Sequence, residues 1–224
     1  MRQLLEKDFV AFHGIHTQPV VDEVETTEED FDLVDMSSPI ALQPQGKGSL
    51  SLHNEHGELS VIHYEDFIDM CRRPRSFYEG RKKCDYLLTH TDSKHTAMLV
   101  EITSALGNTD SLRAPIRNRK TGEVVYEGGK FEKCEEQLYQ SLHDLKLVST
   151  IASKLDAYQQ RICMMAYVIN PYTDSELLRR KPFLRYLHIE ARATADKGAV
   201  LSSPKIESLG FEYRRIEHFY VFKM

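Results

Sequence analysis

Two acidic residues, Asp85 and Glu101, carry the clearest chemical signal in the chain. They stand at the outer ends of two strand-like runs, Cys84 to His90 and Thr96 to Thr103, separated by the polar turn residues Thr91, Asp92, Ser93 and Lys94. A hairpin centred on Ser93 sets Asp85 opposite Glu101 and Lys83 opposite Thr103. Directly opposed residues on antiparallel strands have Cβ atoms about 4.5–5.5 Å apart, and like charges at that spacing repel. Two carboxylates so placed beside apolar residues need compensation. Mg²⁺, or Mn²⁺ in its place, suits them, because such an ion is held by one or two carboxylates together with waters and substrate phosphate. The plainer alternative is a pair of acids at strand ends that point into solvent.

Other residue types offer weaker chemistry. His13 and His16, His53 and His56, and His90 and His95 form close pairs, but they sit in turn-like sequence with no cysteine nearby, so solvated loop histidines are expected. Cys71, Cys84, Cys134 and Cys163 make no CxxC pair, and the last three lie in apolar patterns as core residues do. Tyr139, Tyr158 and Tyr167 have the faces to stack on bases, yet their positions fit core or rim aromatics better. Glu65 and Glu79 precede the acidic pair and offer an additional carboxylate, though each also reads as an ordinary surface glutamate. No P-loop, GxGxxG, GxSxG or HExxH is present, which leaves nucleotide hydrolysis and zinc proteolysis without support.

Charge is distributed unevenly along the 224 residues. The net charge of −5 alone does not suggest a nucleic-acid binder. Eight acids and no Lys or Arg lie between Asp22 and Asp35, so the remainder carries more basic than acidic residues. That acidic stretch reads as a linker, a docking segment or an intramolecular shield over a basic groove. Basic clusters occur at Arg72, Arg73 and Arg75; at Arg81, Lys82 and Lys83; at Arg113, Arg117, Arg119 and Lys120; and at Arg179, Arg180, Lys181 and Arg185. Each is either a phosphate-binding patch or a solvated face. With 41% hydrophobic and 28% charged residues, a disordered or collagen-like chain is excluded. No apolar run approaches the roughly 20 residues of a membrane-spanning helix. The start of the sequence lacks an apolar signal core, so a cytoplasmic location without a membrane partner is expected.

The elements that must position the acids follow from periodicity. Residues 1–45 predict short strands with irregular connections. Ser49 to His53 and Glu58 to His63 alternate around Asn54-Glu55-His56-Gly57 and predict a hairpin, followed by a helix from Tyr64 to about Arg72. Residues 104–129 form a long polar, basic loop with a short strand at Glu123 to Tyr126. Spacings of three and four from Phe131 to Leu155 predict one amphipathic helix over Lys130 to Gln160, and Arg161 to Ile169 a buried strand. A helix at Asp174 to Arg180 and closing strands at Phe211 to Arg215 and His218 to Phe222 complete the reading.

The run Lys83-Cys84-Asp85-Tyr86-Leu87-Leu88, then Met98-Leu99-Val100-Glu101-Ile102-Thr103, then a helix containing Glu136-Gln137-Leu138, resembles the PD-(D/E)XK nuclease superfamily over roughly residues 64–169. The resemblance implies an α/β fold with a restriction-endonuclease-like core, a central mixed β-sheet flanked by helices. Residues 1–63 would be an N-terminal β-rich extension and residues 64–224 the nuclease core. By position, Asp85 and Glu101 become metal ligands with the Ile102 carbonyl, and Gln137 faces the site. Thr103 stands where the family has its lysine, and threonine supplies neither a cation nor a base near neutral pH. Lys83, Lys130 or Lys133 could replace it, or a water whose pKa the metal lowers.

What the resemblance implies is Mg²⁺- or Mn²⁺-dependent phosphodiester hydrolysis of nucleic acid, DNA rather than RNA. Arg113, Arg117, Arg119 and Lys120 would hold the backbone. A role in antiphage defence or DNA processing, an ATPase or other protein partner and a homo-oligomer belong to the same expectation. The alternative is a catalytically inactive nuclease-fold subunit that serves as a scaffold or binding module.

Overall fold

Residue parity assigns each central strand to two cores at once. The computed structural model describes residues 1–35, 39–71, 82–105, 114–117, 124–127, 130–169, 198–218 and 220–224. The chain opens with a π-helical segment, Leu4–Phe9, that runs into the short helix α1, Val10–Phe12. Strands β1 (Glu23–Thr26), β2 (Asp30–Leu33), β3 (Leu50–His53) and β4 (Leu59–His63) precede helix α2 (Tyr64–Met70). Then come β5 (Tyr86–His90), β6 (Thr96–Ala105), β7 (Ala114–Arg117) and β8 (Val124–Glu127). Helices α3 (Lys130–Leu147) and α4 (Ser149–Asp156) lead to β9 (Gln160–Ile169). The described chain ends with β10 (Ala199–Leu201), the one-turn helix α5 (Pro204–Glu207), β11 (Glu212–Glu217) and β12 (Val221–Lys223).

Seven strands form a mixed sheet in the order β1-β4-β5-β6-β9-β11-β10, and β12-β3-β2 form a second sheet. On one face Leu87, Ala97, Leu99, Cys163 and Met165 pack with Leu138, Leu142 and Leu145 of α3, Ile151 and Leu155 of α4, and Phe67 of α2. On the other face Leu88, Met98, Val100, Ile162 and Met164 pack against Phe31, Leu33, Leu50, Leu52 and Phe222 of the three-stranded sheet. Burial on both sides explains why β5 and β9 read as continuous apolar runs rather than alternating ones. Parallel pairing of β6 with β9 and of β9 with β11 requires long crossovers, and α3 and α4 lie within the first of them.

The mixed α/β class with a large central sheet flanked by helices therefore agrees with expectation. So does the β5–β6 hairpin, whose ladder pairs Tyr86 with Val100 and Thr89 with Ala97, the register centred on Ser93. Other expectations need correction. Residues 4–12 are helical, because Leu5 and Phe9 recur at a spacing of four and are fully buried against the α3–α4 face. The predicted hairpin over residues 49–63 is two real strands with the wrong pairing. β3 joins β2 and β12, whereas β4 joins β1 and β5. The line between residues 63 and 64 also falls inside shared structure, since β1 and β4 are strands of the same sheet as β5 and β6. Likewise β11 and β12, expected as closing strands, sit in different sheets. The long helix is broken at Val148, which takes an extended conformation (φ −89°, ψ 109°), while Leu145, Val148 and Ile151 keep the same buried side. The strand near residue 124 is present as β8, paired with β7; the helix expected over residues 174–180 lies outside the described residues.

Acidic residues 22–35 are not a linker. Four of the eight acids belong to β1 and β2, which lie at the edges of their sheets. Charged edge strands discourage pairing with other chains. Among the described residues, no helix is long and apolar enough to cross a membrane.

The step from one sheet to the other is held by Asn54, which is 4% exposed. Its amide donates to the Gly57 carbonyl at 2.7 Å and the Glu28 carbonyl at 3.4 Å, and its Oδ1 accepts from His56 N–H at 3.2 Å and lies 3.0 Å from His90 Nε2. Gly57 closes this turn at φ 86°, a conformation that L side chains resist. Asn54→Ala strands several buried polar groups together, so urea unfolding should show a loss of about 2–3 kcal/mol. A loss below about 0.5 kcal/mol would mean that other contacts hold the crossing.

Candidate functional site

Asp85 is fixed in place by its neighbours on three elements. Its backbone N–H donates to the Val100 carbonyl at 3.0 Å, and its carbonyl accepts from Tyr64 and Glu65 N–H at 2.8 and 3.2 Å. These are first-turn donors of α2, which have no partner inside their own helix. The Asp85 Oδ2 accepts from Ile102 N–H at 2.6 Å. The β5–β6 ladder ends with Tyr86 opposite Val100, and Asp85 bends there, with its N–H on the Val100 carbonyl and its Oδ2 on the Ile102 N–H, so that it brackets Glu101. Glu101 has the parity of Leu99 and so faces α3. From that helix the Gln137 amide donates to the Lys83 carbonyl at 2.9 Å and stands close enough to Glu101 to favour its ionised form. Gln137 therefore spans the two strands from above.

The pair is buried, with Asp85 and Glu101 each 6% exposed. Glu101 Oε2 has no hydrogen-bond partner. Burial raises the pKa of Glu101 far above the carboxylate range, and the charges of Asp85, Glu65 and Asp35 push the same way, opposed by the Gln137 amide. Burial also raises Asp85, against the lowering effect of the Ile102 N–H and with added repulsion from Asp35 and Glu65. The expectation that the two acids share one place is therefore met, and they point inward rather than into solvent. Glu65, weighed above as a surface glutamate, contributes charge to this site. Asp35 does so without any local signal, because the end of the acidic stretch is brought there by packing: Tyr86, next to Asp85, donates its hydroxyl to the Val34 carbonyl at 2.6 Å.

The lysine expectations come out differently. The Lys83 ammonium pairs with Asp69 and lies 3.6 Å from Glu65, both on α2, so its charge is directed to that helix. Lys133 is exposed on α3, Lys130 is the first residue of that helix, and Thr103 lies near the Cys134 thiol. Arg117 is the last residue of β7, while Arg113, Arg119, Lys120 and Glu79 lie outside the described residues. All four cysteines are free and buried.

Sequence reasoning missed a row that continues the site across the sheet. Glu101, Met165 and Arg215 share one register on β6, β9 and β11, and Thr103, Tyr167 and Glu217 share the next. Tyr167 donates to Glu217 Oε1 at 2.7 Å. These rows lie toward the carboxyl ends of the three parallel strands, where open α/β sheets place their ligand sites. No local motif could have announced them, since the strands are far apart in sequence.

Asp85 and Glu101 fit a divalent cation in one respect, the buried Glu101 oxygen that lacks a partner. Among the described residues, no three His, Cys, Asp or Glu side chains form a group that could hold a metal ion. Any such ion would depend on the two carboxylates, a backbone carbonyl, water and substrate oxygen, a pattern usual for Mg²⁺. Comparison with protein-family models, curated proteins and solved structures found no match for the chain.

Carboxyl groups with raised pKa values keep their protons after the unfolded chain has released them. Their contribution to stability is complete below about pH 4 and is lost as the pH climbs through the raised values. Glu101→Gln removes this loss while keeping the shape of the side chain. In EDTA its Tm should equal that of wild type near pH 4 and exceed it at pH 8 by the equivalent of about 1–3 kcal/mol. Parallel Tm curves across that range would show that Glu101 is ionised without strain.

Proposed function

We propose that this chain is a metal-dependent nuclease with a restriction-endonuclease-like core, acting on nucleic-acid phosphodiester bonds, DNA in preference to RNA. One observation carries the reading: two inward-facing carboxylates, Asp85 and Glu101, meet at the open end of the β5–β6 hairpin beneath Gln137. Asp85 and Glu101, with the Ile102 carbonyl, would hold Mg²⁺ or Mn²⁺. When bound, that ion supplies positive charge against the phosphate and lowers the pKa of water. The chain's own residues supply position. The Ile102 N–H orients Asp85, Gln137 stands beside Glu101, and the β6–β9 pairing holds Ile102 in line with Ala166. Arg113, Arg117, Arg119 and Lys120 are proposed to hold the backbone of the nucleic acid, in keeping with their basic character.

A second reading has its own support. Lys83 is engaged with Glu65 and Asp69, and Thr103 occupies the lysine position. An inactive nuclease-fold subunit that assembles with an ATPase or other protein in antiphage defence or DNA processing would retain the carboxylates without the cation.

Purified full-length chain with Mg²⁺ or Mn²⁺ should nick plasmid or cut single strands, and Asp85→Ala and Glu101→Ala should each reduce this to background. Mn²⁺ should also raise the Tm of wild type and leave that of Glu101→Ala unchanged, because binding to the folded state alone stabilises it. Wild type and variants equally inert, with no Mn²⁺ shift and a stoichiometric protein complex, would decide for the scaffold.

A further inference from the structure

At the other end of the β5–β6 hairpin lies a cavity of about 590 Å³ lined by His56, Lys94, His95, Thr96, Gln159 and Gln160. His90, five residues along β5 from Asp85, lies beside it, so the cavity is about 17 Å from the acidic pair by strand rise. Among the described residues, no carboxylate lines it. The carboxylate of Asp92 in the adjoining turn accepts the Lys94 backbone N–H at 3.0 Å. In a chain of net charge −5 this is a cavity whose lining is wholly basic or neutral.

Its walls are set before any ligand arrives. His90 is 1% exposed, accepts from Thr96 N–H at Nδ1 (3.2 Å) and lies 3.0 Å from Asn54 Oδ1 through Nε2. These contacts, with Nδ1 also 3.4 Å from the Thr96 carbonyl, make His90 a core residue rather than the solvated loop histidine expected. Asn54 Oδ1 also accepts from His56 N–H, which fixes the backbone of a cavity residue. The His56 and His95 rings stack at 4.1 Å with 12° between their planes and present a flat face. The Thr96 hydroxyl donates to Gln160 Oε1 at 2.6 Å, so the oxygen of that amide is occupied and its NH₂ remains to donate. Lys94 enters no ion pair among the described residues.

We propose that this cavity binds a nucleotide-sized phosphate monoester, with Lys94 and the Gln160 NH₂ on the phosphate and the stacked histidines against a planar ring. An ammonium and an amide N–H are the donors a phosphate accepts from, and aromatic faces hold planar heterocycles by stacking. The volume lies in the range of small-molecule sites and exceeds what a phosphate group alone would fill. The assignment stands apart from the carboxylate site and does not depend on the nuclease reading.

Isothermal titration calorimetry of the full chain with AMP, adenosine and inorganic phosphate tests it. AMP should bind more tightly than either of the other two. Gln160→Glu keeps the acceptor for Thr96 but turns the donor into a negative oxygen; with an unchanged Tm, it should weaken AMP binding at least tenfold. Lys94→Ala, at an exposed position that puts folding at no risk, should weaken it similarly. Adenosine or phosphate binding as well as AMP, AMP affinity unchanged in both variants, or no AMP binding at millimolar concentration would each overturn the proposal.

Discussion

The pairing of β5 with β6 is the constraint from which the rest of the molecule follows. Its register ends at Tyr86 and Val100, which brings Asp85 beside Glu101 at one end, and leaves His90 and Thr96 bonded to each other at the other. Because parity alternates along each strand, a slip of one residue would turn Glu101 toward the three-stranded sheet and carry Leu88, Met98 and Val100 into the helical core. Register and site geometry are therefore the same fact. Asp85 strengthens it with a side-chain bond to Ile102 and backbone bonds to Val100, Tyr64 and Glu65.

Two carboxyl groups at 6% exposure are costly to ionise, and the fold holds them between two cores whose strands are packed on both faces. Repulsion from Glu65 and Asp35 adds to the penalty, and the described lysine of this region is turned toward α2. The arrangement is one that a cation would relieve. The same concentration of negative charge is unfavourable for a polyanionic substrate approaching without one, which makes charge the central variable at this end of the sheet.

Charge elsewhere serves structure. The acidic residues of β1 and β2 occupy sheet edges, where they oppose edge-to-edge pairing, and Asp32 turns inward to accept from Lys47 and Gly48 N–H at 2.8 and 2.7 Å. Asp30 bonds His53 at 2.8 Å. Residues that look like a linker by composition are thus fastened into both sheets.

By itself, the sequence determined the identity of most strands, the α3 stripe and the meeting of Asp85 with Glu101. All of these rest on local periodicity or on a short turn, which a contiguous segment carries within itself. Tertiary structure alone decided that β3 and β4 part to different sheets, that Asp35 and Glu65 join the acids, and that Glu217 and Arg215 line up with Thr103 and Glu101. It also decided that His90 is core while His56 and His95 stack beside a cavity. The physical reason is common to these cases. Alternation records which side of a strand is buried but not which distant segment buries it, and that choice is made by non-local packing of two cores on one sheet.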